Sequence, residues 1–323
     1  MVTGGAGYIG AHIVRALRER GHDVVVLDDL STGERRKVGA DVAFVEASVL
    51  DRPAVEKALR EHEVTGVVHM AAKKAVGESV ERPLHYYREN VDGLLSLLEA
   101  MDEAGTAKMV YSSSAATFGM PDDEQLLTED YACRPINPYG ETKLIGEWLM
   151  RDVAASATLD WVSLRYFNVA GAGAPELGDT GVFNLIPMVF RALTTGRAPQ
   201  VFGDDYPTPD GSCIRDYLHV TDLADAHVAA VRVLEQTAGG DPMGVVYNVG
   251  RGRGVSVLEV MAAVQQVTGL EFTPEVVARR SGDPARLVAS ADRIRADLGW
   301  TADRDLTAMV SSAWDAWQAH PPA

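Results

Sequence analysis

A doubly wound α/β fold, with a parallel sheet covered on both faces (a Rossmann domain) and a second, smaller α/β lobe, is predicted by three features of the sequence. Apolar, β-branched runs alternate with helical stretches through roughly the first half of the chain, the pattern of right-handed crossovers between parallel strands. Glycines 4, 7 and 10 lie between the first strand signal and the first helix signal. After about residue 170 the texture changes to more Gly and Pro, shorter strands and separate helices. The expected division is therefore 1–170 and 171–323, with the strand-helix-strand signal at 216–250 returning to the first sheet.

The elements follow in order. "MVTGGAGYIG" ends a short apolar strand in glycines and enters a helix, Ile9 to Arg20, with Ile9, Ile13 and Leu17 at helical spacing and Gly21 closing it. The chain starts almost on this motif, which leaves barely three residues for the first strand; either the start is assigned late or the strand is trimmed. "DVVVLDD" reads as a buried strand, and "VAFVEA", "TGVVHMAA", "KMVYSSS" and "WVSLRYFNVAG" follow as further strands. Helices are expected near 52–62, 83–104 and 138–157 between them, and near 184–195, 256–268 and 305–318 in the second lobe.

Composition excludes several classes. With 323 residues, 46% hydrophobic and 24% charged, the chain can bury a large core. Its apolar runs fall short of the roughly 18 residues of a membrane span, and no signal-peptide pattern opens it, so a cytoplasmic protein is expected. Cys133 and Cys213 are too few for a disulfide framework and have no partner at metal-ligand spacing, so no metal is expected. A formal charge of -16 repels nucleic acid and anionic lipid; an anionic ligand must meet local, focused positive charge.

The glycine turn permits backbone N–H groups to approach a pyrophosphate at the positive end of the following helix. The second strand ends in Asp28, whose carboxylate can hydrogen-bond the adenosine ribose and would repel a 2′-phosphate, favouring NAD over NADP. Arg35 and Arg36 lie downstream and could hold that phosphate instead.

The stretch "NPYGETK" at 137–143 places Tyr139 and Lys143 one helical turn apart, behind an N-capping Asn137 and a Pro138 suited to the first turn. With six lysines and 10 tyrosines the pair would arise by chance roughly once in five such chains. Yet Lys143 is the last lysine of a chain whose cations are mostly arginine. An ammonium beside a phenol favours phenolate; if that field, aided by a positive nicotinamide ring, lowers a reference pKa of about 10 by some three units, it supplies about 4 kcal/mol towards ionisation. Such a tyrosine can act as a base near neutral pH. "SSS" at 112–114 closes an apolar strand, at the end where parallel α/β sheets bind ligands, and Ser114 could share a proton with a substrate hydroxyl. On its own that serine reads as a polar strand end with local backbone bonds.

Together these stretches resemble the UDP-galactose (UDP-glucose) 4-epimerase group of the extended short-chain dehydrogenase/reductase family. The resemblance runs through "VTGGAGYIG", "LDDLSTG", "KAVGESVERPLHYY", "NVDG", "SSSAATFG", "NPYGETK", "LRYFNVAGA", "FGDDYPTPDGSCIRDYLHVTDLADAH" and "RRSGDPARL". It implies NAD-dependent C4 epimerisation of a UDP-hexose through a transient 4-keto sugar. Tyr139 would be the base, Lys143 would hold the nicotinamide ribose and Ser114 would assist at the sugar hydroxyl. Implied NAD contacts are Gly4, Gly7, Tyr8, Ile9, Gly10, Asp28, Ser48, Val49, Met70, Lys74, Asn90, Tyr139, Lys143 and Phe167. Implied UDP-sugar contacts are Lys74, Ser114, Asn168, Asn184, Leu185, Phe202, Arg215, Arg280, Asp283 and Leu287. Arg215 and Arg280 would clamp the diphosphate. A homodimer built on the helices near 83–104 and 138–157 is also implied.

Departures from the pattern sharpen the expectations. Ser48 stands where many relatives have an aspartate for the adenine amino group. Ala116 and Phe118 replace Thr and Tyr, which alters sugar contacts and leaves the mechanism. Leu287, at a gate position where a residue smaller than tyrosine widens the space around the sugar C2 substituent, would admit an N-acetylhexosamine. A nucleotide-sugar dehydratase is disfavoured because Ala115 and Ala116 occupy the place of its acid/base pair. A UDP-glucuronate decarboxylase lacks an identifiable C6-carboxylate site. A non-catalytic NAD-sensing protein conflicts with an intact Ser114, Tyr139 and Lys143.

Overall fold

The computed structural model describes residues 1–121, 125–156, 159–237, 243–280 and 282–322. In chain order the elements run β1 (Val2–Thr3), α1 (Tyr8–Glu19), β2 (Val25–Asp28), β3 (Ala43–Glu46), α2 (Arg52–Glu61), β4 (Val67–His69), α3 (Val76–Glu81), α4 (Pro83–Tyr87), α5 (Gly93–Ala104), β5 (Lys108–Ser114), α6 (Pro138–Ser156) and β6 (Asp160–Tyr166). They continue with β7 (Asn168–Ala170), α7 (Leu185–Thr194), β8 (Gln200–Phe202), β9 (Ile214–His219), α8 (Val220–Glu235), β10 (Gly244–Val249), β11 (Gly254–Ser256), α9 (Val257–Thr268), β12 (Glu275–Val277), β13 (Arg286–Leu287), α10 (Asp292–Leu298) and α11 (Leu306–Ala319).

Two compact units emerge. The first comprises Met1–Gly119, Ala132–Arg165 and Ala224–Tyr247, the second Met120–Tyr131, Tyr166–Leu223 and Asn248–Ala323. A seven-stranded sheet in the order β10-β6-β5-β4-β1-β2-β3 dominates the first, and the pairings from β3 through β5 are parallel. Strand order reverses between β1 and β4, the switch point at which doubly wound sheets open a ligand crevice at their carboxyl ends. Leu94, Leu97 and Met101 of α5 pack with Val55 and Leu59 of α2 and with Met109 and Tyr111 of β5 in its core. Each such fully buried aliphatic chain contributes about 1.5–3 kcal/mol relative to exposure.

The second unit has a four-stranded sheet, β11-β9-β13 with β7 also on β9, and a separate β8–β12 pair. Phe190 of α7 sits against Trp314 and Trp317 of α11 at ring distances of 4.9 and 5.7 Å, within the range of favourable aromatic pairs.

Four expectations change in detail. The run "WVSLRYFNVAG" is two strands: β6 stays in the large sheet, while β7 pairs with β9. A continuous strand-forming run carries no mark of which sheet its two ends will join. Of the 216–250 segment, β10 joins the large sheet and β9 does not. The helix expected over 83–104 is α4, a π-helical turn at Arg88–Asp92, and α5, with the short helix α3 ahead of it. The second unit also takes in Met120–Tyr131, because Leu127 accepts from Ser290 N and donates to the Val288 carbonyl. Residue 157, the expected end of the helix that begins at Pro138, lies outside the described residues.

Candidate active site

The turn from β1 into α1 brings Gly4, Gly7, Tyr8, Ile9 and Gly10 together. Gly7 caps α1 without any side-chain hydrogen bond, so the positive helix end is left to backbone N–H groups, the usual seat of a phosphate. Gly10 lies so close to the turn that an added Cβ would stand 2.1 Å from the Gly4 carbonyl oxygen. At the end of β2, Asp28 accepts hydrogen bonds from Ala6 N and Leu30 N, both at 2.9 Å. Burial raises its pKa, opposed by those two bonds. Each carboxylate oxygen keeps a lone pair for a hydroxyl, so the turn and the acid together fit a dinucleotide's pyrophosphate and ribose.

The loops after β3 and β4 carry the remaining candidates of this unit. Ser48 accepts from Leu50 N at 3.2 Å, and Val49 is buried. Met70 N donates to the Thr3 carbonyl at 3.0 Å, and Lys74 is exposed. Asn90 sits in the π-helical turn, a distortion frequent at functional sites. Its Oδ1 accepts from Lys73 N at 2.8 Å, while Nδ2 donates to the Lys73 carbonyl and to Thr142 Oγ1, both at 3.0 Å. Both amide donors are thus spent on tying the 73–75 loop to α6. Lys73, which the sequence did not mark, donates to Ser31 Oγ at 2.9 Å and its charge acts on Asp28. The adjacent Lys-Lys pair was its only signal.

Asn137 caps α6 as its residue type predicts: Oδ1 accepts from Gly140 N at 2.9 Å and its carbonyl from Glu141 N at 3.0 Å. Tyr139 and Lys143 follow on the helix, 7% and 3% exposed. Ser114 ends β5 and hydrogen-bonds Tyr139, an interaction that favours the phenolate. Lys143 Nζ donates to the Ser112 carbonyl at 2.7 Å and lies 5.2 Å from the Tyr111 ring centre. Serine, tyrosine and lysine therefore meet at the carboxyl end of β5.

In the protein by itself, burial acts against both charged forms. Burial raises the Tyr139 pKa, the Ser114 bond only opposes this, and burial lowers Lys143 to about 7, with Glu147 opposing. Loss of water penalises each charged form, and one of the ammonium's three donors goes to the Ser112 carbonyl. The protein by itself holds the phenol above its ordinary range; the expected depression combines Lys143 with the positive nicotinamide ring. His69, unmarked in the sequence, stacks on Tyr111 at 6.0 Å and binds Thr3 Oγ1 at 2.8 Å. Burial, then the Lys143 charge, hold it well below the usual range, at about 3, so it is neutral at pH 7.

The second unit holds the other candidates. Arg215 of β9 pairs with Asp283, and Leu287 of β13 stands in register with Arg215. Arg280 lies over the ring of Phe202 at 3.8 Å, and its neighbour Arg279 over Tyr206 at 4.0 Å. These two guanidinium-aromatic stacks were not legible in the sequence. Asn184 begins α7 and donates its amide to Asp179 at 2.7 Å, with Leu185 next to it. Asn168 lies in β7 opposite Tyr217, and Phe167 N donates to the Val249 carbonyl at 3.2 Å. Of the cofactor candidates, Phe167 alone belongs to this unit. Among the described residues no group of three side chains could hold a metal, and no helix is long and apolar enough to cross a membrane.

Comparison with known proteins gives a consistent picture. Residues 1–250 match the NAD dependent epimerase/dehydratase family. The chain is 45% identical over 320 residues to the UDP-glucose 4-epimerase of Azospirillum brasilense, covering 97% of this chain and 90% of that one. It superposes with a TM-score of 0.92 and 40% identity on the UDP-glucose 4-epimerase of Stenotrophomonas maltophila with bound NAD and formylated UDP-arabinopyranose, over 98% of this chain and 97% of that one. It is also similar to the Bifidobacterium longum enzyme in complex with NAD+ and UDP, with a TM-score of 0.91 and 37% identity over 99% of this chain and 98% of that one.

Proposed function

Because the chain belongs to the NAD dependent epimerase/dehydratase family, we infer that it interconverts UDP-galactose and UDP-glucose by inverting C4 of the hexose, with NAD as its cofactor. The observation that carries the reading is the convergence of Ser114, Tyr139 and Lys143 at the carboxyl end of β5, beside a sheet crevice whose glycine turn and Asp28 fit a dinucleotide.

In the proposed mechanism the Tyr139 phenolate removes the C4 hydroxyl proton, and Ser114 hydrogen-bonds the same oxygen. When bound in the glycine turn, NAD would supply the hydride acceptor and donor that C4 oxidation and reduction require, and a further positive charge. Lys143 adds a second positive charge and a ribose contact. Tyr139 then gives its proton back to the C4 oxygen, so atoms and charge balance over a cycle. Gly4 to Gly10 seat the pyrophosphate and Asp28 the ribose, with Ser48, Val49, Met70, Lys74, Asn90 and Phe167 completing the cofactor set.

In the same proposal Arg215 and Arg280 grip the diphosphate, and Asn168, Asn184, Leu185, Phe202, Asp283 and Leu287 complete the UDP-sugar set. A firm UDP end with few strong hexose contacts lets the keto sugar present either face. Asp283 holds the Arg215 guanidinium in place before substrate arrives, a preorganised phosphate clamp in an acidic protein. A second reading, preference for UDP-N-acetylhexosamine, rests on Leu287, a residue smaller than tyrosine at the gate position that the resemblance implies.

The test is a coupled assay on purified protein with UDP-galactose and, separately, UDP-N-acetylglucosamine. UDP-glucose formation from the first is expected. Absence of turnover with both sugars would refute the function, and turnover of the N-acetyl substrate alone would select the second reading.

The assembly belongs to the proposal too: two copies join through the faces of α3 to α6. Val80, Leu84, Leu95 and Trp148 are 62, 82, 40 and 49% exposed there, an apolar set that a lone subunit would leave in water. Light scattering at micromolar concentration should give twice the 34.7 kDa chain mass; the mass of one chain would contradict it. Cys133 and Cys213, neither of them joined in a disulfide, suit a reducing cytoplasm.

A further inference from the structure

Glu147 lies one turn beyond Lys143 on α6 and is 5% exposed. Its Oε1 accepts from Ser113 Oγ at 2.5 Å, from Arg165 Nε at 2.9 Å and from Ser163 Oγ at 3.4 Å, and its Oε2 accepts from Arg165 Nη2 at 2.6 Å. Ser113 belongs to β5, Ser163 and Arg165 to β6. One carboxylate therefore ties the helix of Tyr139 and Lys143 to two adjacent strands of the sheet, including the strand that ends in Ser114. The helix also lies unusually close to β5, since a Cβ on Gly146 would stand 2.1 Å from the Tyr111 hydroxyl. A buried carboxylate-guanidinium pair contributes little net stability compared with apolar packing of the same volume, so its presence here asks for another explanation.

We propose that Glu147 is a positioning residue for the epimerase reaction, which fixes α6, and with it Tyr139 and Lys143, against β5 and β6. This rests on the proposed roles of those two residues. Lys143 meets the Ser112 carbonyl and the Tyr111 ring on β5, neutral His69 on β4, and Glu147 and Tyr139 on its own helix. Glu147 meets Ser113, Ser163 and Arg165, with Cys133 close enough to feel both charges. Among the groups around Lys143, Glu147 is the one whose charge holds its proton on.

The sign follows directly. Burial brings Lys143 down to about 7 and the Glu147 charge works against that descent. Removing the carboxylate lowers the lysine further, so the cation is lost at a lower pH as pH rises. The alkaline limb of kcat/KM should move towards acid. A merely structural role would scale the whole profile and leave the limb in place.

The experiment is the pH profile of UDP-galactose turnover by NAD-loaded enzyme for wild type, Glu147→Gln, Glu147→Asp and the double variant Glu147→Gln/Arg165→Met. The single Gln variant leaves the Arg165 charge buried without its carboxylate and is expected to fold poorly; the double variant removes both charges and is expected to fold. In the double variant the alkaline limb should lie about half to one pH unit lower, with kcat reduced about three- to tenfold at pH 8 and KM changed by less than about twofold. Glu147→Asp, which keeps the charge, should restore the limb to its wild-type position. A double variant whose limb coincides with that of the wild type overturns the proposal, as does a uniform fall at all pH values. If Tyr139→Phe retains turnover, the base assignment itself fails; if Tyr139→Phe is inactive and the limb does not move, only the role of Glu147 fails.

Discussion

Tyr139→Phe should lower kcat for UDP-galactose epimerisation by 10²-fold to 10⁴-fold, the usual range for losing a general acid–base group, which is about 3–5 kcal/mol of barrier. The substitution removes one oxygen from a side chain 7% exposed and leaves the ring to fill its site, so the fold should be intact. The hydroxyl's partner, Ser114, still accepts from Ala116 N at 3.1 Å and is not left stranded. NAD should remain bound, because its proposed seat is the glycine turn and Asp28, and KM should change little because the nucleotide end is proposed to be held by Arg215 and Arg280. Stopped-flow kinetics and the dinucleotide content of the purified variant check both halves. A loss of less than tenfold would remove Tyr139 as the base.

The structure also makes that tyrosine's task harder than the spacing suggests. Burial raises the phenol's pKa while lowering that of the neighbouring ammonium, so the pair does not set itself up as phenolate and cation. The charge must be maintained by more than the two residues in "NPYGETK": the Ser114 bond and the Glu147 carboxylate each push in the required direction.

This shows where sequence reading succeeds and where it stops. The glycine turn, Asp28, the Asn137 cap and the Tyr139/Lys143 spacing were legible because each is a local pattern: a turn, a strand end, a helix start and one helical period. Glu147 has the same i+4 relation to Lys143, yet its meaning depends on Ser113, Ser163 and Arg165, which only the register of α6, β5 and β6 brings to it. The π-helical turn that carries Asn90 was illegible for a related reason. It inserts a residue without any Gly or Pro, and its hydrogen bonds to Lys73 and Thr142 cross 17 and 52 positions. The pairing of β7 with β9 rather than with the large sheet is likewise a choice between partners distant in the chain.

Gly10→Ala is the substitution expected to remove the cofactor altogether. The new methyl would stand 2.1 Å from the Gly4 carbonyl oxygen and 2.9 Å from Gly5 Cα, and both obstacles are backbone. No rotamer change relieves such a contact, so the β1–α1 turn must open. Overpacking of this kind costs about 1–3 kcal/mol of stability. The larger consequence is functional, because Gly7 and the first N–H groups of α1 move with the turn and the pyrophosphate loses its seat. In wild type, NAD at a hundredfold excess over its Kd should raise stability by about 2.7 kcal/mol, visible as a higher Tm. In Gly10→Ala the Tm should be lower at the outset and unresponsive to NAD, and epimerase activity should be absent. A variant with a normal NAD-induced rise in Tm would show that the dinucleotide is held somewhere other than this turn.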